Sequence, residues 1–233
     1  MNTLQANATT GEVFLRLPAP HENIIITTPR ESDRDDLVLM LNDPRIYKFL
    51  LSPPFPYQPH HAEEWLRTTK EKSDELLEDL RKGKAVVDGC PVQYIRETQA
   101  DGTDLLLGDV SVRRNGWLEV DDEEQRAKMA KENLAKPVGD HSIVWTIGDY
   151  LRPSHHGKGI MSAAVGAVIN RWMVPYMNAH NIRTEAIEGN IGSVRVFEKN
   201  GFRLLELVKV DRIGPGFGRV EGVHVLEWQR PGE

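Results

Sequence analysis

Three groups of residues in the last third of this chain have the types and spacing for shared chemistry. The first is a glycine turn, His156-Gly157-Lys158-Gly159-Ile160-Met161, set between a strand-like run and a long apolar stretch. Residues without side chains let main-chain N–H groups converge, and at a helix N-terminus those amides and the helix dipole attract an anion. Lys158 and Arg152 add positive charge there or are merely solvated. The second group is Asn190-Ile191-Gly192-Ser193, which opens another helix. Asn190 and Ser193 read either as an ordinary cap and first-turn serine or as hydrogen-bonding groups for a ligand. The third group is a set of proton acceptors around them: Asp149 and Glu185 first, then Asp109, Glu119 and His141.

Two anion motifs are excluded by spacing. A Walker loop needs G-x-x-x-x-G-K-[ST], and Gly157 and Gly159 stand too close together for it. A dinucleotide fingerprint needs a third glycine where Ser162 stands, in an early βαβ unit; this turn comes late, after several strands that read as antiparallel. His155 and His156 read as turn residues rather than metal ligands, because no carboxylate or third histidine lies at ligand spacing; no metal is expected.

The elements that position these groups follow from period and punctuation. Residues 1–23 carry few periodic apolar positions and read as a loosely ordered lead-in. Ile24 to Thr28 is β-branched and reads as a strand stopped by Pro29. Ser32 with Asp35 resembles a capping box ahead of Leu37, Met40 and Leu41. A proline-dense loop with Tyr47, Phe49, Phe55 and Tyr57 precedes a helix from about His60 to Lys82. Ala85-Val86-Val87, Val92–Ile95 and Leu105–Val112 read as strands, with a hairpin turn at Asp101-Gly102. Residues 119–136 carry acids first and lysines last, the polarity of an exposed helix. A strand from Ser142 to Leu151 and a buried helix from Lys158 to about His180, kinked by Pro175, come next. A strand at Arg183–Ile187, a helix ending at Asn200-Gly201 and two final strands close the chain.

Composition sets the class. The 233 residues carry a net charge of −6, which disfavours a nucleic-acid partner and suits a cationic acceptor such as an amine. One cysteine, Cys90, rules out an internal disulfide and a cysteine zinc site and fits a reducing, cytoplasmic setting. No apolar run is long enough for a membrane span, so no membrane partner is expected.

Taken in order, these motifs resemble the GNAT superfamily of acyl-CoA N-acyltransferases, and within it the RimJ/RimL-like branch. Gly159 keeps the central glycine of the family's R/Q-x-x-G-x-G/A motif, with His156 and Met161 departing from it. Asn190, Ser193, Val196, Glu198, Lys199, Gly201 and Phe202 match the second motif, and Pro29, Asp33 to Asp36, Asn42-Asp43-Pro44, Ala62 and Trp65-Leu66 match the front end. The resemblance implies an α+β fold, a GNAT-type splayed mixed β-sheet flanked by helices, in one domain over residues 24–230 with a charged helical insertion at about 119–140. It implies acetyl-CoA as co-substrate, held by Gly148, Tyr150, Leu151, His156, Gly157, Lys158, Gly159, Ile160, Met161, Asn190 and Ser193. The thioester carbonyl would meet a main-chain N–H near Gly148 or Asp149. Catalytic roles fall to Asp149 or Glu185 as base and Ser193 beside the sulfur, because Phe197 stands where many relatives carry a tyrosine proton donor. The expected activity is acetyl transfer to a primary amine, a peptide N-terminus or a small amine, by direct attack. A catalytically inactive acyl-CoA-binding module is the alternative, and a homodimer is left open.

Overall fold

Among the described residues nine strands form one sheet, and the place where it comes apart positions everything else. The computed structural model describes residues 3–214 and 218–232. The strands are β1 (Gln5–Ala6), β2 (Val13–Arg16), β3 (Ile24–Thr27), β4 (Tyr94–Thr98), β5 (Asp104–Arg114), β6 (Val144–Leu151), β7 (Asn181–Ile187), β8 (Arg203–Gly214) and β9 (Gly218–Gln229). Their order across the sheet is β1-β2-β3-β4-β5-β6-β7-β9-β8. All neighbours are antiparallel except β6 and β7, which run parallel. That parallel pair meets only at Val144–Asn181 and Trp145–Ile182. Beyond it β6 stays with β5 as far as Leu151, and β7 stays with β9 as far as Ile187. The sheet therefore opens between them into a V.

Alternation along the strands gives the sheet two differently packed faces. Trp145, Ile147 and Leu151 of β6, with Ile182 and Ala186 of β7, point into the main core. There they meet α5 (Ile160–Val168) and α7 (Ile191–Glu198). Each fully buried residue of this kind contributes about 1.5–3 kcal/mol. Tyr94 and Leu106 point the other way, into a second cluster with Leu37 and Met40 of α1 (Arg34–Leu41), Ile46 of α2 (Pro44–Tyr47), and Ala62 and Leu66 of α3 (Pro59–Arg81); Tyr150 packs against it. A third, smaller cluster gathers Val210, Val220, Val223 and Val225 on the β8–β9 hairpin, with Ile187 and Leu51 against it.

Several expectations are corrected. The 1–23 segment is not a loose lead-in: β1 and β2 extend the sheet from β3, and Phe14, Leu15 and Leu17 are buried. Ala85–Val87 is not a strand; its chain is tied to the helical layer through Val87 N–H donating to Tyr176 O. Ser32 does not cap the first helix: a 3-10 turn at Glu31–Asp33 leads into α1, the Asp33 carboxylate accepts from Arg30 N at the start of that turn, and α1 itself has no side-chain cap. The long helix after the glycine turn is three pieces: α5, a π turn at Ile169–Met173, and α6 (Val174–Met177) ending at a left-handed Asn178. Pro175 lacks an N–H and its ring crowds the carbonyl four residues earlier, so the hydrogen-bond spacing widens just before it. The charged segment does hold a helix, α4 (Glu123–Leu134), capped by Asp122. Its Asn133 is buried and pairs with the backbone of Val144, which docks the helix at the foot of β6.

Candidate active site

A cavity of about 610 Å³ lies at the end of β6, between the glycine turn, the first turns of α5 and α7, and the α2 segment. Its lining includes Asp149, Tyr150, Leu151, His156, Gly157, Gly159, Ile160, Met161, Asn190 and Ser193. Gly148, Lys158 and Glu185 are not part of that wall. Both turn glycines have positive φ, +74° at Gly157 and +81° at Gly159, which an L side chain adopts only under strain. Gly159 is also the N-cap of α5 and offers no side chain to the first-turn amides, so those N–H groups remain for an outside acceptor. His156 ties the turn down: its Nε2 lies 2.7 Å from Leu151 O and therefore carries the hydrogen. Arg152 is not available to the turn, because it donates to Asp36 at 2.6 Å and to Leu106 O at 3.1 Å.

On the α7 wall Asn190 is a helix cap, its Oδ1 accepting from Ser193 N at 3.2 Å, and the residue also lines the cavity. Ser193 brings a hydroxyl to the wall; Phe197, one turn on, is buried against Phe202 at 5.0 Å between ring centres and has no proton to give. Lys48, Arg195 and Lys199 add positive charge around the opening, where Arg45 is held by Asp43 at 2.6 Å; of the four, the sequence motifs included only Lys199. The spacing of Arg195 and Lys199, four apart on one helix, was the available signal.

The open edge of β6 is defined by parity. Arg152 N donates to Leu107 O and Val144 O accepts from Asn115 N, so even-numbered main-chain groups serve β5. Odd-numbered groups face the V. Ile147 O is satisfied there by the buried Thr184 hydroxyl at 2.9 Å, which closes the floor of the opening. The next main-chain N–H up that edge is Asp149's. Gly148 and Tyr150 amides point toward β5 instead, and Leu151 O is taken by His156.

Parity also separates the acids. Asp149 shares the α5 face with Ile147 and Leu151, and burial pushes its carboxyl up to about 7. Glu185 lies on the opposite face with Ile187, level with Gly148 across the V. Its carboxyl is pushed up to about 8, first by burial and then by the neighbouring Glu119. Glu119 is itself buried and takes Arg183 Nε at 2.6 Å, while Asn115 Nδ2 reaches Glu185 at 3.3 Å. Asp109 sits between Tyr94 and Tyr150 on this second face; burial raises it to about 7, and Gln93 donates to it at 2.9 Å. His141 lies apart, edge-on to His180. Among the described residues no group of three or more His, Cys, Asp or Glu side chains is arranged to hold a metal, and no helix is long and apolar enough to cross a membrane.

Comparison with known proteins agrees with this geometry. Residues 23–203 match the family model described as Acetyltransferase (GNAT) domain. A 56-residue stretch is 41% identical to the probable N-acetyltransferase YjcK of Bacillus subtilis, a match that spans 24% of this chain and 30% of that protein. The fold is similar to that of ribosomal-protein-S5-alanine acetyltransferase from Vibrio fischeri, with a TM-score of 0.59, 18% identity and coverage of 91% and 95% of the two chains. It is also similar to RimL, ribosomal L7/L12 α-N-protein acetyltransferase, in complex with coenzyme A (0.60, 14%, 94% and 99%). RimJ of Mycobacterium smegmatis gives 0.54 at 16% identity over 94% and 86%.

Proposed function

The chain belongs to the acetyltransferase (GNAT) family, and from that premise we propose that it transfers an acetyl group from acetyl-CoA to a primary amine by direct attack. The observation that carries this reading is the V between β6 and β7, with uncapped helix amides at its mouth and a buried carboxyl pair on its far face. The residues suit the co-substrate: Gly157, Gly159, Ile160 and Met161 offer amides to a diphosphate, with Lys158 outside them, and the basic rim complements its charge. Leu151 N–H and the Asn190 carboxamide suit the amides of a pantetheine arm. When bound, acetyl-CoA supplies an activated thioester.

Asp149 acts through its main-chain N–H, which polarises a carbonyl placed above the Thr184 floor. Glu185 is the base: an alkylammonium has a pKa of about 10.4, and a carboxylate that titrates near 8 removes its proton far better than one near 4. Ser193, a hydroxyl on the α7 wall, hydrogen-bonds the departing thiolate, which leaves as the anion (thiol pKa about 8.5) and takes its proton from water. Residues 24–230 work as one acyltransferase domain, and the single cysteine suits a reducing cytoplasm.

A thiol-release assay with acetyl-CoA against a panel of peptides, polyamines, amino acids and aminoglycosides tests the reading. Turnover that Glu185→Gln lowers by about 10²–10⁴ is the expected result. Tight acetyl-CoA binding with no turnover on any amine would make the chain an inactive binding module, the outcome that Phe197 in place of a tyrosine favours.

A further inference from the structure

On the open face of the V, a guanidinium stands where the acceptor must enter. Asp109, Ser111 and Arg113 alternate along β5, so all three project to the same side as Tyr94 and Tyr150. A Cβ placed on Gly148 would lie 3.3 Å from Ser111 Oγ and 3.6 Å from both Nη1 and Nη2 of Arg113. The planar fork therefore lies against Gly148, one residue before the Asp149 N–H and level with Glu185 across the V. Because residue 148 has no side chain, nothing on β6 covers that fork.

Arg113 is exposed and makes no ion pair among the described residues. Arg30, Arg96, Arg114, Arg152 and Arg183 each hold a carboxylate within 4 Å. The acid nearest Arg113 on its own strand is Asp109, which takes hydrogen bonds from Gln93 and Ser111 and feels the Arg113 charge without forming an ion pair with it, and which burial shifts toward its neutral form. An exposed arginine fork with no carboxylate within ion-pair distance among the described residues, beside a reaction centre, is suited to a carboxylate from outside.

We propose that Arg113 is the anion-binding half of the acceptor site, and that the acceptor is a small aminocarboxylate, a free α-amino acid being the simplest case. The inference rests on the acetyltransferase reading above. Glu185 and Glu119 receive the ammonium on the β7 side, and Arg113 receives the carboxylate on the β5 side. The same arrangement disfavours polyamines and lysine-rich peptides, whose extra positive charge would meet Arg113 unpaired.

The test compares free amino acids with their carboxamides as acceptors in the thiol-release assay. The wild-type protein is expected to favour the acids by tenfold or more in kcat/KM, as for loss of one charge-assisted contact. In Arg113→Gln the acid-to-amide ratio collapses toward one through a higher KM for the acid, and Arg113→Lys restores part of it. Equal use of acid and amide by the wild type, or an unchanged ratio in Arg113→Gln, overturns the assignment. Calorimetry of N-acetyl amino acids into CoA-saturated protein reads the same contact without turnover: binding that needs Arg113 supports it, and binding indifferent to Arg113, or none, sinks it. The affinity for CoA on the same samples reports separately on the acetyltransferase reading. A protein that fails to bind CoA refutes that reading, whereas one that binds CoA but ignores the carboxylate refutes only the role of Arg113.

Discussion

A single carboxyl group decides whether this site can take a proton from an amine at neutral pH. As the proposed base, Glu185 acts in its ionised form; with burial and Glu119 pushing its carboxyl up to about 8, kcat/KM should rise with pH through about 8 and fall on the acid side. Glu185→Gln should lower kcat by about 10²–10⁴, the usual contribution of a positioned base, with CoA affinity retained. A pH profile on the wild type and a single-turnover comparison check both points; an acid limb near 4 would remove Glu185 from the role. The largest cause of the shift is burial, and Glu119 comes second. Removing that neighbouring charge by Glu119→Gln favours the ionised form of Glu185, so the acid limb should move to lower pH by about one unit. On the far wall, Ser193→Ala should slow acetyl transfer most for acceptors whose chemistry is rate-limiting. Because the thiolate is a tolerable leaving group, with a pKa of about 8.5, the expected loss is modest, on the order of tenfold.

The elements matter because two helices must aim their first turns at one cavity. Asn200 fixes their crossing: its Nδ2 donates to Ser162 O of α5 at 3.0 Å and to Val196 O of α7 at 2.8 Å. A Cβ on Gly166 would lie 2.6 Å from Asn200 Oδ1, so Gly166→Ala should displace that side chain and cost about 1–3 kcal/mol in denaturant melts. Gly159→Ala acts at the turn itself, where φ is +81°. It should cost about 1–2 kcal/mol of stability and, on the proposed role of the turn amides in holding a diphosphate that pantetheine lacks, weaken CoA more than pantetheine. Equal weakening of both ligands would mean that the turn is structural only. Most of these elements are legible in the sequence, because their apolar periods are long: α3, β5, β6 and the helix after Gly159 all announce themselves. The failures have local causes. β2 is four residues long and gives too few alternations to be seen, while Val86 and Val87 have strand-like types but the Val87 N–H is spent on Tyr176 O. The site was legible as a list of motifs but not as two faces. Whether Asp149 or Glu185 looks toward the acceptor depends on the registers of β6 with β5 and of β7 with β9, and register is a property of partners far away in the chain. Arg113 was missed for the same reason: only its alternation with Asp109 and Ser111 hinted at a shared face.

At the scale of the whole molecule, the opening of the sheet sets the cost of the chemistry. A closed sheet would pair the main-chain groups of β6 and bury β7; here the V leaves an edge unpaired and draws three carboxyl groups out of water around it. Asp109 and Asp149 are raised to about 7 and Glu185 to about 8, in each case first by burial. The sign of the consequence is fixed by linkage. Unfolded, these groups release their protons near pH 4; folded, they keep them until pH 7–8, so across that interval the native state binds more protons. The stability they contribute is complete below about pH 4 and is lost as pH rises through 7–8. Other titrating groups overlap this window, so the measurement is a difference: urea melts of the wild type and of Asp109→Asn/Asp149→Asn/Glu185→Gln at pH 5.5 and pH 8. Neutral amides cannot release a proton, so the variant should gain on the wild type between the two pH values by on the order of 1–3 kcal/mol per replaced carboxyl, less what the crevice recovers by admitting water. Parallel pH dependence in the two proteins would mean that the carboxyls are solvated in the unliganded fold, and that the V is wetter than its burial implies.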